Sequence, residues 1–181
     1  MPVSNVVALQ RPDALFETML VPTDGSALSI AAALKAVAFA KRLQARMLAF
    51  HSISTYQYPV YVGGVPYEYP SEADYEDQCR AIANRHLALI AGVAAAHHVP
   101  INTCVEFHAS PAQAIVEMAK REKCGLIVMG SHGRGGLSSL FLGSVALKTL
   151  TLTHIPVMLD RPTPEELQTA ESMMRQKAIE P

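Results

Sequence analysis

Residues 125–144 read GLIVMGSHGRGGLSSLFLGS. An apolar run, Leu126 to Met129, opens directly into fifteen positions (130–144) that hold five glycines and four serines. A short, continuously apolar run bounded by glycine suits a strand covered on both faces. Gly143 and Ser144 suit the start of a helix, so the stretch reads as strand, glycine-rich loop, helix. A strand that feeds a helix in this way is half of a crossover unit, and such crossovers build parallel sheets.

Working outward, the rest of the chain repeats the alternation. Towards the N-terminus, TMLVP (18–22) reads as a buried strand and SALSIAAALKAVAFAKRLQ (26–44) as an alanine-rich helix capped by Ser26. ARMLAFHSI (45–53) reads as a second strand, a long helix is expected over about 72–97 behind Ser71, and INTCVEF (101–107) reads as a third. Ser110-Pro111, with Gln113 three residues after the cap, signals the next helix start. Beyond the quoted stretch come a helix over 143–153, a strand IPVML (155–159) and an exposed helix over 163–178 capped by Thr163. The fold class is therefore α/β, an open doubly wound sheet with helices on both faces and a C-terminal tail helix. Residues 1–17 read as an arm, 18–160 as one domain and 161–181 as a tail.

Composition agrees. Half of the 181 residues are hydrophobic, the net charge is −1, and Lys and Arg are scattered, which argues against a nucleic-acid or membrane surface as partner. Cys79, Cys104 and Cys124 form no close pair and read as reduced thiols of a cytoplasmic protein; no signal-peptide pattern opens the chain.

Ligands of such sheets sit beyond the carboxyl ends of the strands, where the strand order reverses. Two unusual stretches fall at such ends: VPTDGS (21–26) after the first strand and GSHGRGG (130–136) after the fourth. Glycines let backbone N–H groups converge on an anion, and a helix start adds unpaired N–H groups and the positive end of its dipole. Ser144 adds a hydroxyl and Arg134 a charge, while Asp24 on the opposite lip is placed to hold a metal ion or accept from a ribose hydroxyl. The loop chemistry also fits a plain surface loop. G-x-x-x-x-G-K-[ST] is absent, and Ser138 stands where G-x-G-x-x-G needs its third small residue, so neither a P-loop nor a Rossmann dinucleotide site is expected.

Gly130, Gly133, Gly143 and Ser144 do spell G-x2-G-x9-G-S. Together with VPTDGS, this resembles the ATP-binding branch of the universal stress protein family, over roughly residues 17–160. The resemblance implies a five-stranded parallel sheet in the order 3-2-1-4-5, a homodimer, and ATP at the ends of the first and fourth strands. Carried over by position, Gly130, Gly133, Gly143 and Ser144, with Val145 behind them, cradle the phosphates. Pro22, Thr23 and Asp24 line the opposite wall, Ser52 supplies a backbone contact to adenine, and Met129 lies beside the nucleotide. Mg²⁺ would sit at Asp24. The dimer is expected to pair the apolar fifth strand, an edge that a monomer would leave open, unless the tail helix folds back over it. The reading is a nucleotide-dependent sensor or binding module of the stress response. The alternative is a slow metal-dependent ATPase or nucleotide-processing enzyme, although no nucleophile-and-base pair is legible.

The six tyrosines fall between 56 and 75, mostly in a Pro- and Gly-punctuated loop over 54–70. This reads as a lid or partner surface, or as a long loop anchoring itself on the sheet, the latter being the commoner use of such side chains. His132 reads as an exposed loop imidazole, and Gly133 as a residue with positive φ that lets the loop approach phosphate.

Overall fold

The structure, a computed structural model, describes residues 16–57, 70–133 and 142–179. Its elements run β1 (Thr18–Pro22), α1 (Ala27–Leu43), β2 (Arg46–Ile53), α2 (Glu72–Ala96), β3 (Ile101–Phe107), α3 (Pro111–Arg121), β4 (Leu126–Gly130), α4 (Ser144–Leu152), β5 (Val157–Asp160) and α5 (Pro164–Ile179). The five strands form one parallel sheet in the order β3-β2-β1-β4-β5. The order reverses between β1 and β4, so the loops that leave those two strands are neighbours.

Alternation along each strand divides the core into two layers. Met19, Val21, Met47, Ala49 and Val128 point to the face covered by α1, α2 and α5, where they meet Ile30, Ala33, Val37, Leu87 and Ile90. Leu20, Leu48, Phe50, Ile127 and Met129 point to the other face and pack on Ala114, Ile115 and Met118 of α3 and Ala146 of α4. Phe50, Met19, Leu20 and Ile127 are fully buried. Removing each such side chain from water contributes about 1.5–3 kcal/mol. The run of alanines in α1 (Ala31, Ala32, Ala33, Ala36, Ala40) is buried too, and these small side chains let the helix lie close against the sheet.

The caps are mostly as the sequence indicates. Ser26 accepts from Ser29 N–H, and Ser71 accepts from Asp74 N–H at 3.1 Å. Ser110 differs: it makes no side-chain cap, and its own N–H donates to His108 Nδ1 at 2.9 Å. The pyrrolidine of Pro111 alone sets the start of α3. The fifth strand begins two residues later than the apolar pattern suggests and takes in Asp160, the register partner of Gly130.

The tail helix is not an exposed appendage. Thr163 and Glu166 form a reciprocal cap: Thr163 N–H donates to Glu166 Oε2 at 2.8 Å, and Glu166 N–H to Thr163 Oγ1 at 3.3 Å. From there α5 docks on α1 and α2, burying Ala170 completely and half-burying Leu167, Met173 and Met174. Four apolar positions among many charged ones make a narrow stripe that its composition conceals. Because α5 takes this face, it packs beside α1 rather than along the outer edge of β5.

The expected arm lies outside the described residues except for Phe16 and Glu17, as does the tyrosine-rich loop over 58–69. At the base of that loop Tyr56 Oη donates to Pro70 O (2.9 Å), Tyr75 Oη donates to Ser54 O (3.0 Å), and the two rings lie 5.3 Å apart. No helix of the described residues is long and apolar enough to cross a membrane.

Candidate functional site

The turn after β1 is built by short polar side chains that bond to their own backbone. Thr23 is buried; its N–H extends the β1–β2 ladder to Phe50 O (2.9 Å), and its hydroxyl takes the Gly25 N–H (3.0 Å) and meets Ser29 Oγ at 2.8 Å. Asp24 Oδ1 accepts from both Ser26 N–H (3.0 Å) and Ser26 Oγ (2.7 Å). The carboxylate is thus pinned at the start of α1, with Oδ2 turned across the crevice.

Gly25 completes this turn with φ of +77°, the one glycine among the described residues in the left-handed region. A Cβ there would collide with the imidazole of His86, which reaches over from α2 and stacks on His51 of β2 with ring centroids 5.9 Å apart. Two histidines from different elements therefore back the turn. Nothing in their sequence surroundings marks His86, one polar residue in the middle of a long helix.

Across the crevice, β4 ends at Gly130 and the chain turns at once. Ser131 N–H donates to Asp160 O (2.7 Å), and Ser131 O accepts from Gly143 N–H (2.8 Å), so the two ends of the glycine-rich segment are tied together at the sheet. Gly143, in extended conformation, is the N-cap of α4 and offers no side chain to its first N–H groups. Gly133 comes so close to the other lip that a Cβ would stand 2.5 Å from Asp24 Oδ2. Its φ is not positive, contrary to the sequence expectation. Glycine is required there for space, not for conformation. His132 also departs from expectation: it is half-buried, its Nδ1 lies 3.1 Å from Ser131 Oγ, and its Nε2 is buried.

The candidate residues separate into those that meet and those that support. Asp24, Gly133, Gly130 and Gly143 converge at the β1–β4 reversal, with Ser144 exposed and Val145 half-buried on the first turn of α4. Pro22 and Thr23 are buried beneath that lip. Met129 is 6% exposed, and its side chain belongs to the α3–α4 core below the crevice. Ser52 is half-buried near the end of β2, and its Oγ is buried with no hydrogen-bond partner among the described residues. Arg134 lies outside the described residues. No three His, Cys, Asp or Glu side chains gather as a metal site among the described residues. A cation at Asp24 would thus draw most of its ligands from phosphate and water, as Mg²⁺ commonly does.

Comparison with known proteins agrees with this fold. The model of the universal stress protein family matches residues 15–161. A universal stress protein of Thermus aquaticus is 34% identical over 147 residues, covering 81% of this chain and 100% of the relative. One from Methanocaldococcus jannaschii is 30% identical over 154 residues, covering 83% and 85%. Among solved structures, a universal stress protein in complex with cAMP superposes with a TM-score of 0.61 at 20% identity, covering 82% of this chain and 99% of that one. The Archaeoglobus fulgidus protein in complex with dAMP superposes at 0.59 with 17% identity, covering 81% and 99%.

Proposed function

The chain belongs to the universal stress protein family, and on that premise we propose that the crevice between the β1 and β4 loops binds ATP with Mg²⁺. The observation that carries the reading is the meeting of Asp24 with Gly133 directly beside the N-terminus of α4. A carboxylate on one lip, and a closely approaching glycine backbone with unpaired helix N–H groups on the other, suit a ligand with a sugar at one end and phosphates at the other. Gly130, Gly133, Arg134, Gly143, Ser144 and Val145 serve the phosphates. Pro22, Thr23 and Asp24 line the opposite wall, with Asp24 serving the cation, Ser52 contacts the base through its backbone, and Met129 lies beside the nucleotide. The cAMP- and dAMP-bound relatives support an adenine nucleotide as the ligand class.

The protein acts as a nucleotide-dependent sensor or binding module of the stress response. Asp24 is engaged by Ser26 through Oδ1, which suits holding a ligand better than activating a water. Its three free cysteines fit a reducing, cytoplasmic setting. The functional unit is a homodimer in which the open edge of β5 pairs antiparallel with a second copy; exposed Leu147 and Leu150 on α4 add apolar surface for the same partner.

Thermal unfolding with ligand tests the nucleotide reading. A ligand that binds only the folded state adds about 2.7 kcal/mol at a hundred times its Kd. For a domain of this size that raises Tm by about 5–10 °C. ATP with Mg²⁺, AMP and cAMP all leaving Tm unchanged at millimolar concentration refutes it.

A further inference from the structure

We propose that Lys35 is a positioning residue for the phosphate-binding loop and couples that loop to the docking of the C-terminal helix α5. The inference rests on the nucleotide reading above but concerns residues outside the G-x2-G-x9-G-S motif, on a helix beyond the family-matched region and a lysine remote from the ligand.

Lys35, in the middle of α1, reaches two carboxylates. Its Nζ donates to Asp160 Oδ1 at 2.8 Å and to Glu166 Oε2 at 3.0 Å. Asp160 is the last residue of β5 and the register partner of Gly130, the first glycine of the motif. Its carbonyl holds the Ser131 N–H at 2.7 Å, and Ser131 O holds the Gly143 N–H at 2.8 Å. The Ser131 end of the loop therefore hangs from the backbone of Asp160 directly, and the Gly143 end through Ser131. Glu166 is the capping-box residue of α5, and its other contact is the Thr163 N–H. One ammonium thus joins the root of the loop to the first turn of the docked helix.

The two arms differ in burial, and that decides which matters more. The Glu166 side chain is 38% exposed, and an exposed pair contributes little. The Asp160 side chain is 11% exposed, and its Oδ2 is buried with no hydrogen-bond partner among the described residues. Taking away Lys35 leaves a buried carboxylate without its cation, a strongly destabilised arrangement that favours displacement of Asp160. When Asp160 moves, the backbone that holds Ser131 moves with it. The hydrogen bond it donates to Asp160 is also the largest cause holding the Lys35 ammonium above its usual range.

Calorimetric titration of Lys35→Met and Lys35→Arg with ATP–Mg²⁺ and with adenosine tests this. Lys35→Met should bind ATP at least tenfold more weakly while adenosine affinity changes by less than about twofold, because the loop serves phosphates and not the base. Lys35→Arg, which can also bridge two carboxylates, should restore most of the ATP affinity. By reciprocity, ATP should slow amide exchange in residues 164–177 of the wild type and not in Lys35→Met. Equal loss of ATP and adenosine affinity, or no loss of either, overturns the proposal, as does ATP without effect on exchange in α5. Should Lys35→Met fail to fold, Glu166→Met takes away the acceptor for Lys35 Nζ and leaves the Asp160 arm in place; it must then abolish the exchange effect, and retention of that effect overturns the coupling. A wild type that binds neither ligand instead refutes the nucleotide reading itself.

Discussion

Alanine at position 133 tests how the crevice is built. Its Cβ would stand 2.5 Å from Asp24 Oδ2, whereas a Cβ essentially never comes closer than 3.0 Å to another heavy atom, so one lip must retreat by at least 0.5 Å. Asp24 cannot simply swing aside, because Oδ1 is held by Ser26 N–H and Oγ. If the carboxylate yields, a turn hydrogen bond to Ser26 is lost, at about 1 kcal/mol. If the loop yields, the glycine backbone leaves the position proposed to face phosphate. We expect Gly133→Ala to lower Tm by about 2–4 °C, corresponding to about 1 kcal/mol. We expect ATP affinity to fall at least tenfold, about 1.4 kcal/mol. Valine should abolish binding, since its two further methyls point into the same gap. The decisive assay is a double-mutant cycle read by thermal unfolding. With Asp24 cut back to alanine, the collision partner is gone, and the cost of Gly133→Ala should shrink by at least 0.5 kcal/mol, the lower range for residues in contact. Additive costs would refute the steric account, and wild-type ATP affinity in Gly133→Ala would remove the loop from the phosphate site.

Gly25→Ala should destabilise by about 1–3 kcal/mol, from positive φ and from His86; His86→Ala should relieve the second part and leave the first, as urea unfolding midpoints will show. Val157→Lys on the open edge of β5 should convert a dimer to a monomer in light scattering, and a wild type that is already monomeric at micromolar concentration sinks the dimer. The Glu166 carboxyl is held below its usual 4.5, first by the Thr163 N–H and next by Lys35. Its contribution is therefore present above pH 4.5 and lost as pH falls through the lower folded value. Hydrogen exchange should show α5 loosening first in acid, and a tail helix no more labile than α1 there would contradict this. Burial pushes the Cys124 thiol up to about 11, so at pH 8 it should resist alkylation in the native protein and react only on unfolding; rapid native labelling would show that the α3–α4 core is open.

Local sequence signals were enough to find the elements and the lips of the crevice. Continuous apolar runs, glycine and proline punctuation and helix caps are local signals, and they placed the strands to within two residues and both loops at strand ends. The order of the strands came from resemblance and not from pattern, because nothing local says which strand lies beside which. Tertiary structure alone decided why Gly133 is glycine: Asp24 lies 109 positions earlier, and only the β1–β4 neighbourhood sets its carboxylate against that backbone. The same holds for His86 over Gly25 and for Lys35 with Asp160, 125 positions apart. The docking of α5 was hidden for a different reason. A stripe of four apolar residues is too narrow to outweigh an acidic, charged composition until the complementary groove between α1 and α2 exists to receive it.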